Sequence, residues 1–368
     1  MKVALVHELL TMRGGAERVL KIAADLFPDA PIYTLLYDEK KLGDWFPGER
    51  VRPSSLQRLA GLSTNHHLYL KHFPAAVEQW DFSEFDLVIS FSSAFAHGII
   101  TNGRPKHICY IHSPARYLWD RTHDVIDTAN HGIFGGLKRN HGERTFHKLR
   151  IWDSEAADRP DKLLAASKEV QRRIELYWRR ESEVVYPPID DSWLDNTNYE
   201  VRITNHEFSF LIVSTLARYK RIDLAIQACN ELNLPLTIVG DGPDKNRLKG
   251  LAGPTVRLRG HLAHAAVREL YKSATATIFP GEEDFGLVPL ESMACGTPVI
   301  GYRKGGALET IIEGKTGMFF DEPTVESLKK ALMNFDATRF DPNEGKAQAA
   351  NFSRAQFETQ LRKAIENL

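Results

Sequence analysis

FSFLIVSTLARYKRIDLAIQACNELNLPLTIVGDG, residues 208–242, decides the fold class. It opens on FSFLIVS (208–214), an apolar run of strand length. From about Lys220 the period changes. Ile222, Ala225, Ile226 and Cys229 recur at i, i+3, i+4 and i+7, which is one face of a helix. PLTIVGDG (235–242) is then a second apolar run. A strand, a helix and another strand, with runs apolar enough for burial on both faces, make a βαβ unit of a parallel sheet.

The same alternation extends in both directions. Downstream the strand candidates are VRLRG (256–260), ATATIFP (274–280), TPVIGY (297–302) and TGMFF (316–320). Upstream they are KVALV (2–6), PIYTLLY (31–37), FDLVISF (85–91), HICYI (107–111), KLLAA (162–166) and EVVY (183–186). A helix is expected from about Ala16 to Phe27, and a long Lys-, Arg- and His-rich one over roughly 134–158. Between the two series lies PPIDDSWLDNTNYE (187–200), with paired prolines and no periodicity, which reads as a linker. Two alternating series predict an α/β protein with two Rossmann-like domains facing across a cleft, residues 1–187 and 188–351. FSRAQFETQLRKAIENL (352–368) closes the chain as an amphipathic helix, free to pack back on the first domain.

Composition fits that reading and removes other classes. The 368 residues are ample for two cores, and the 43% hydrophobic and 26% charged content is ordinary for globular chains. A net charge of −1 gives no basis for bulk nucleic-acid binding. Cys109, Cys229 and Cys295 are too few and too far apart for a disulfide framework or a zinc set, and point to a reducing compartment. MKVALVHELL does not read as a signal peptide, and no run of about 18 apolar residues is present for a membrane span.

Five segments carry candidate chemistry. In GEEDFGLVPLE (281–291), Gly281 and Gly286 permit tight turns, and a helix starting near Leu287 offers free N–H groups and a positive dipole end to an anion. Glu291, about a turn into that helix, suits a vicinal diol such as ribose, and Glu283 suits the other end of the same ligand. The plainer reading is that both glutamates are solvated or cap the helix. Gly14 and Gly15, in GGAER (14–18), stand where Rossmann folds bind phosphate, but lack the full fingerprint and read equally as a turn.

Arg218, Lys220 and Arg221 cluster at a strand-to-helix turn, where cations oppose the helix dipole unless an anion binds. His112, in YIHSPARYLWD (110–120), follows a strand directly, where it either hydrogen-bonds or protonates a substrate group, or is structural. Arg116, Trp119 and Asp120 accompany it. GLKRNHGERTFHKLR (136–150) is a basic helix, either solvated or facing an anionic acceptor or membrane surface. No His/Cys metal set, no Walker loop and no G-x-S-x-G is found, and GDGPD (240–244) sits in a turn.

Taken together, GGAERVL (14–20), YIHSPARYLWD, VVYPPID (184–190), YKRIDLAI (219–226), IVGDGP (238–243), EDFGLVPLESMACGTPVI (283–300) and GGALETI (305–311) span nearly the whole chain. This set resembles the retaining nucleotide-sugar glycosyltransferases of the GT-B fold, the large family-four group. The EDFG, YKRID and HSPARYLWD variants look most like mannosyltransferases of bacterial surface-polysaccharide assembly, such as that of lipopolysaccharide.

The resemblance implies an acceptor-binding first domain and a donor-binding second one. It implies that Glu283 contacts the donor sugar, with Asp284 beside it, and that Phe285, Gly286, Leu287 and Val288 offer backbone N–H groups to the sugar and diphosphate. Glu291 would hold the ribose, Lys220 the diphosphate, and Gly14 and Gly15 would let their loop approach the phosphate. His112, Glu283 and Lys220 would form the catalytic set, with Arg116, Trp119 and Asp120 on the acceptor side.

It further implies no cofactor and no metal, and a nucleotide-sugar donor with GDP-mannose as the first choice. The acceptor would be a saccharide or polyprenyl-diphosphate-linked saccharide, and the location cytoplasmic, with peripheral membrane contact left open. One position departs from the pattern. The family usually places an arginine where this chain has Thr215, in Ser214-Thr215-Leu216, and Arg218 is the nearby substitute. A nucleotide-sugar epimerase of similar architecture is the competing enzyme. A binding protein with a decayed site, for which Thr215 speaks, is the non-enzymatic alternative.

Overall fold

The computed structural model describes residues 1–58, 66–123, 135–195 and 208–368. The chain divides into two compact units: Met1–Pro187 with Glu358–Leu368, and Pro188–Phe357. Each is built on one sheet, and every strand pairing in both is parallel.

The first unit contains β1 (Val3–Leu10), β2 (Ile32–Tyr37), β3 (Val51–Pro53), β4 (Leu87–Ser92), β5 (Lys106–Ile111), β6 (Lys162–Ala165) and β7 (Glu183–Val184). Their spatial order is β3-β2-β1-β4-β5-β6-β7. The second contains β8 (Phe210–Val213), β9 (Leu236–Val239), β10 (Val256–Gly260), β11 (Ala276–Phe279), β12 (Val299–Tyr302) and β13 (Gly317–Phe320), ordered β10-β9-β8-β11-β12-β13. Both sheets therefore reverse direction once, between β1 and β4 and between β8 and β11. That is the doubly wound arrangement of Rossmann folds.

The central strands are buried along their whole length, as β4 and β11 show. Parallel strands covered on both faces must be apolar throughout, so the runs read as continuous rather than alternating. The helix Ile222–Leu232 buries Ile222, Ala225, Ile226 and Cys229, the four positions its periodicity marks. The helix Gly15–Leu26 starts one residue before the expected point.

Three elements differ from the reading above. β3 is a short edge strand ending in Pro53, where a missing N–H costs no ladder bond. The 187–200 stretch is not wholly irregular: Asp190 caps a helix Asp191–Leu194 whose Trp193 is buried, while 196–200 lie outside the described residues. Asp341 caps a further helix, Pro342–Ala350, which packs against Leu287–Ala294.

The last helix, Arg354–Glu366, buries Phe357, Leu361 and Ala364. From Glu358 onward it belongs to the first unit, and Lys162 Nζ in β6 donates to the Ala364 carbonyl at 3.2 Å. The basic helix spans Gly135–Ala156. Its Phe146, Leu149 and Asp153 are buried, while Arg144, His147 and Lys148 are exposed; the side chains of 135–138 and 141 lie outside the described residues. Among the described residues no helix is long and apolar enough to cross a membrane.

One core group makes stability pH-dependent. His107, on β5, is fully buried with Nε2 2.7 Å from the Ser90 hydroxyl. Burial, helped by His97, pushes its pKa down to about 3 from an ordinary 6.5, against the pull of Asp161. Below the ordinary value the unfolded chain takes up a proton that the native state refuses. His107 therefore contributes nothing above that pH and destabilises the fold below it, by about 1.4 kcal/mol per pH unit. The urea-unfolding free energy of His107→Gln should fall less steeply than that of the parent between about pH 6 and 4.5, by this amount. Parallel slopes would contradict the assignment.

Candidate functional site

In doubly wound sheets ligands bind beyond the carboxyl ends of the strands, where the order reverses. In the second unit that point lies between β8 and β11, from which residues 214–221 and 280–286 depart. The first segment is clamped to the GDG turn. Ser214 N–H donates to the Val239 carbonyl (3.0 Å), Leu216 N–H to that of Asp241 (2.9 Å), and Asp244 N–H to that of Leu216 (2.9 Å). Thr215 is exposed on this clamp.

A 3-10 turn, Arg218–Lys220, follows and leads through Arg221, at φ +50°, into Ile222–Leu232. The three cations separate here. Arg218 is exposed and forms no ion pair among the described residues. Arg221 stands 3.4 Å from Asp223. Lys220 alone turns inward, onto the Glu283 carboxylate, with Nζ 5.2 Å from the Tyr219 ring centre. Burial by itself would lower the Lys220 pKa, but the charge of Glu283, with Tyr219 and Asp284 adding to it, raises it instead. The ammonium is therefore held charged.

The loop after β11 is fixed from behind. The Glu283 carbonyl accepts the Gly306 N–H at 2.9 Å, so GGALE (305–309) backs the loop. Glu282 pairs with Lys304 at 3.1 Å. Phe285 is buried, its ring 5.4 Å from that of Phe352, which leaves its backbone as the part able to meet a ligand. Asp284, Leu287 and Val288 are half-buried.

Gly286 adopts φ +91°, a left-handed bend that turns the loop into the helix Leu287–Ala294, and no side chain caps that helix. A helix N-terminus offers N–H groups and a positive dipole end to an anion. One turn on, Glu291 accepts a hydrogen bond from the Tyr271 hydroxyl at 3.3 Å. Burial first, and Glu291 second, push the Tyr271 pKa well up, so this hydroxyl stays a donor. Lys220, Glu283, Gly286 and the uncapped helix, Glu291 included, thus converge on one strand end.

In the first unit the reversal lies between β1 and β4. Here the anion is already part of the chain. Glu8, in β1, is buried, and its Oε1 accepts the Ser92 hydroxyl (2.8 Å) and the N–H groups of Ser93 (2.8 Å), Ala94 (2.7 Å), Phe95 (2.7 Å) and Ala96 (3.1 Å). Beside it, Glu17 ties the GGAER segment to β1: Oε2 accepts the Gly14 N–H at 2.9 Å, and Oε1 lies 3.6 Å from His7 Nε2. Gly15 is exposed at the start of its helix.

The His7 ring meets that of His112 edge-on at 6.4 Å. Burial, then the neighbouring His7, push the His112 pKa down to about 3, and its buried Nε2 has no partner among the described residues. At neutral pH the His112 ring is therefore neutral, able to hydrogen-bond and not charged as an acid. Arg116 Nε pairs with Asp120 at 3.2 Å. The Trp119 N–H is directed to the fully buried Asp153 at 2.8 Å, and its ring stacks on Tyr177. Asp153 also accepts the Trp178 N–H at 2.7 Å, so Trp119 holds the unit together whatever else it touches.

His7, Glu8, Glu17 and Tyr271 were not singled out by sequence reasoning. The available signal was a charged pair inside an apolar strand, His7-Glu8 in VALVHELL. Buried charge in a strand needs a partner, so that pair marks a built site. Tyr271 gave no such signal.

A crystal structure of Anabaena HepE in complex with UDP superposes over 100% of both chains with a TM-score of 0.73, at 17% identity. The fold is GT-B. A second GT-B neighbour, sucrose-phosphate synthase from Thermosynechococcus elongatus, gives a TM-score of 0.72 at 16% identity, over 99% of this chain and 98% of that one.

Residues 198–345 match the family described as glycosyl transferases group 1, so the match falls on the second GT-B unit. Among curated proteins, an uncharacterized glycosyltransferase of Methanocaldococcus jannaschii is 23% identical over 60% of this chain and 64% of its own length. A GDP-mannose-dependent alpha-(1-6)-phosphatidylinositol monomannoside mannosyltransferase of Mycolicibacterium smegmatis is 35% identical over 33% of this chain and 36% of its own length. The chain therefore spans less than two thirds of either relative.

Proposed function

We propose that the protein is a glycosyltransferase that moves a hexosyl group from a nucleoside diphosphate sugar to a saccharide or lipid-linked hydroxyl during glycan assembly. The observation that carries this is the grouping of Lys220, Glu283 and an uncapped helix N-terminus at the β8–β11 strand ends. A leaving diphosphate gathers negative charge as its bond to the sugar breaks. Fixed cations and N–H groups stabilise that charge without reorganising. Lys220, the exposed Arg218 and the first turn of Leu287–Ala294 supply them, so in this reading the positive charge comes from the protein and not from a metal.

Arg218 stands in for the arginine absent at Thr215. Glu291, steadied by Tyr271, takes the ribose hydroxyls, and Glu283 orients the sugar. Transfer proceeds with retention, by attack on the face the diphosphate leaves, a phosphate oxygen receiving the acceptor proton. Arg116, Trp119 and Asp120 serve the acceptor side, and His112 contacts the transferred sugar, its neutral ring acting as a hydrogen-bond partner. GDP-mannose is the first donor to test, supported by the partial match to GDP-mannose-dependent relatives. A location in the cytoplasm or on the inner membrane face fits a donor of this class.

Calorimetric titration with GDP, UDP and ADP tests the reading. One of them should bind with a Kd in the micromolar range, about −8 kcal/mol at 1 μM. Its sugar conjugate should then label a saccharide acceptor without being converted in the acceptor's absence. Binding of none of the three, by the intact chain, removes the proposal.

A further inference from the structure

Lys220 and Glu283 hold each other, and this is not a surface pair: their side chains are only 15% and 19% exposed. They stand on the segments that leave the adjacent parallel strands β8 and β11, so the pairing of those strands brings the two segments together. The cation best placed to take a diphosphate is thus already neutralised by a carboxylate. An incoming diphosphate brings more negative charge to the same ammonium, and like charges at this range in a half-buried site repel strongly. Asp284 adds to that repulsion from the next residue. Glu283 must therefore give way when the diphosphate binds.

Once displaced, a half-buried carboxylate needs new donors, and losing them is costly. The neighbouring lysine, Lys304, already serves Glu282. Sugar hydroxyls are donors of the right kind, since a carboxylate accepts several O–H groups at once. A free nucleoside diphosphate carries hydroxyls on its ribose but no hydroxyl-bearing group on its terminal phosphate.

We propose that Glu283 sets the preference of the site for the sugar-bearing donor over the spent nucleoside diphosphate. It occupies Lys220 when the site is empty, yields to the diphosphate, and is satisfied again only by the hydroxyls of an attached sugar. When the sugar leaves, Glu283 competes for Lys220 and helps to expel the product. This inference rests on the transferase reading.

The test compares calorimetric Kd values of GDP with GDP-mannose, and of UDP with UDP-glucose, for the intact chain and Glu283→Gln. The isosteric amide removes the competing charge. Free nucleoside diphosphate should bind Glu283→Gln about tenfold tighter, the lower end of measured couplings between close charged pairs. The ratio of free-nucleotide Kd to sugar-nucleotide Kd should fall by a similar factor. In the Lys220→Ala background the same Glu283→Gln change should give no gain. A gain there would mark a general loss of negative potential and overturn the proposal, as would unchanged or weaker binding in Glu283→Gln alone. Donor binding and transfer by the parent, with no change in the variant, sinks this inference and leaves the transferase reading standing. No binding by either protein removes both.

Discussion

Lys220→Ala should lower kcat/KM for glycosyl transfer by about 10²- to 10³-fold, the usual loss when one preorganised group at a developing charge is removed. The reason is positional. Arg218 is exposed and makes no pair with Glu283, and Arg221 is engaged by Asp223, so neither takes the place of the ammonium held at the loop of Glu283. In the proposed reaction Lys220 faces charge that grows as the leaving group departs, so the loss should fall mainly on kcat. Circular dichroism and the melting temperature should change little, since the helix Ile222–Leu232 is held by its buried apolar face. A kcat/KM within about threefold of the parent would strike Lys220 from the site.

The second large effect concerns stability. Gly240 sits at φ +132°, and a Cβ there would stand 1.8 Å from the Ser214 carbonyl oxygen. Gly240→Ala therefore combines an unfavourable backbone region with overpacking against backbone that cannot rotate away, a cost of about 3 kcal/mol or more. For a unit of this size that corresponds to a fall of roughly 6–12 °C in Tm. Ser214 leads directly into the clamp that carries Thr215, so nucleotide affinity should fall as well.

Gly250, near the end of the helix Lys245–Leu251, provides the control. Nothing lies within 4 Å of a Cβ there, and Gly250→Ala should hold or raise the melting point. Differential scanning calorimetry separates the two. A Gly240→Ala transition within about 2 °C of the parent would show that the GDG turn is not the rigid brace described here.

How much of this was readable in the chain depended on the kind of signal. Buried parallel strands must be apolar along their length, so most runs, and the helix face of Ile222, Ala225, Ile226 and Cys229, stood out. β3 did not, because three edge residues ending in proline carry neither period nor length. In the site, the glycines and glutamates of 281–291 were legible through their spacing around a strand end. The partnership of Lys220 with Glu283 was not, because it joins the segments after two strands that only the order β8-β11 brings together.

Glu8 was legible as an oddity, a carboxylate in a strand, but its partners lie in another loop, 84 to 88 residues away along the chain. For Trp119 the sequence suggested the acceptor side. In the structure its N–H is committed to Asp153.

The path of the last helix bears on the order of assembly during synthesis. Residues Glu358–Leu368 belong to the unit that begins the chain, yet they emerge from the ribosome only after all of Pro188–Phe357. Domains made early usually fold as they appear. This one reaches its complete form only once its neighbour has been made in full, Lys162 on β6 lacking until then the Ala364 carbonyl it binds. A fragment cut at the domain boundary would carry the same gap permanently. Supplying the 358–368 segment in trans is the direct way to ask how much the early unit depends on it.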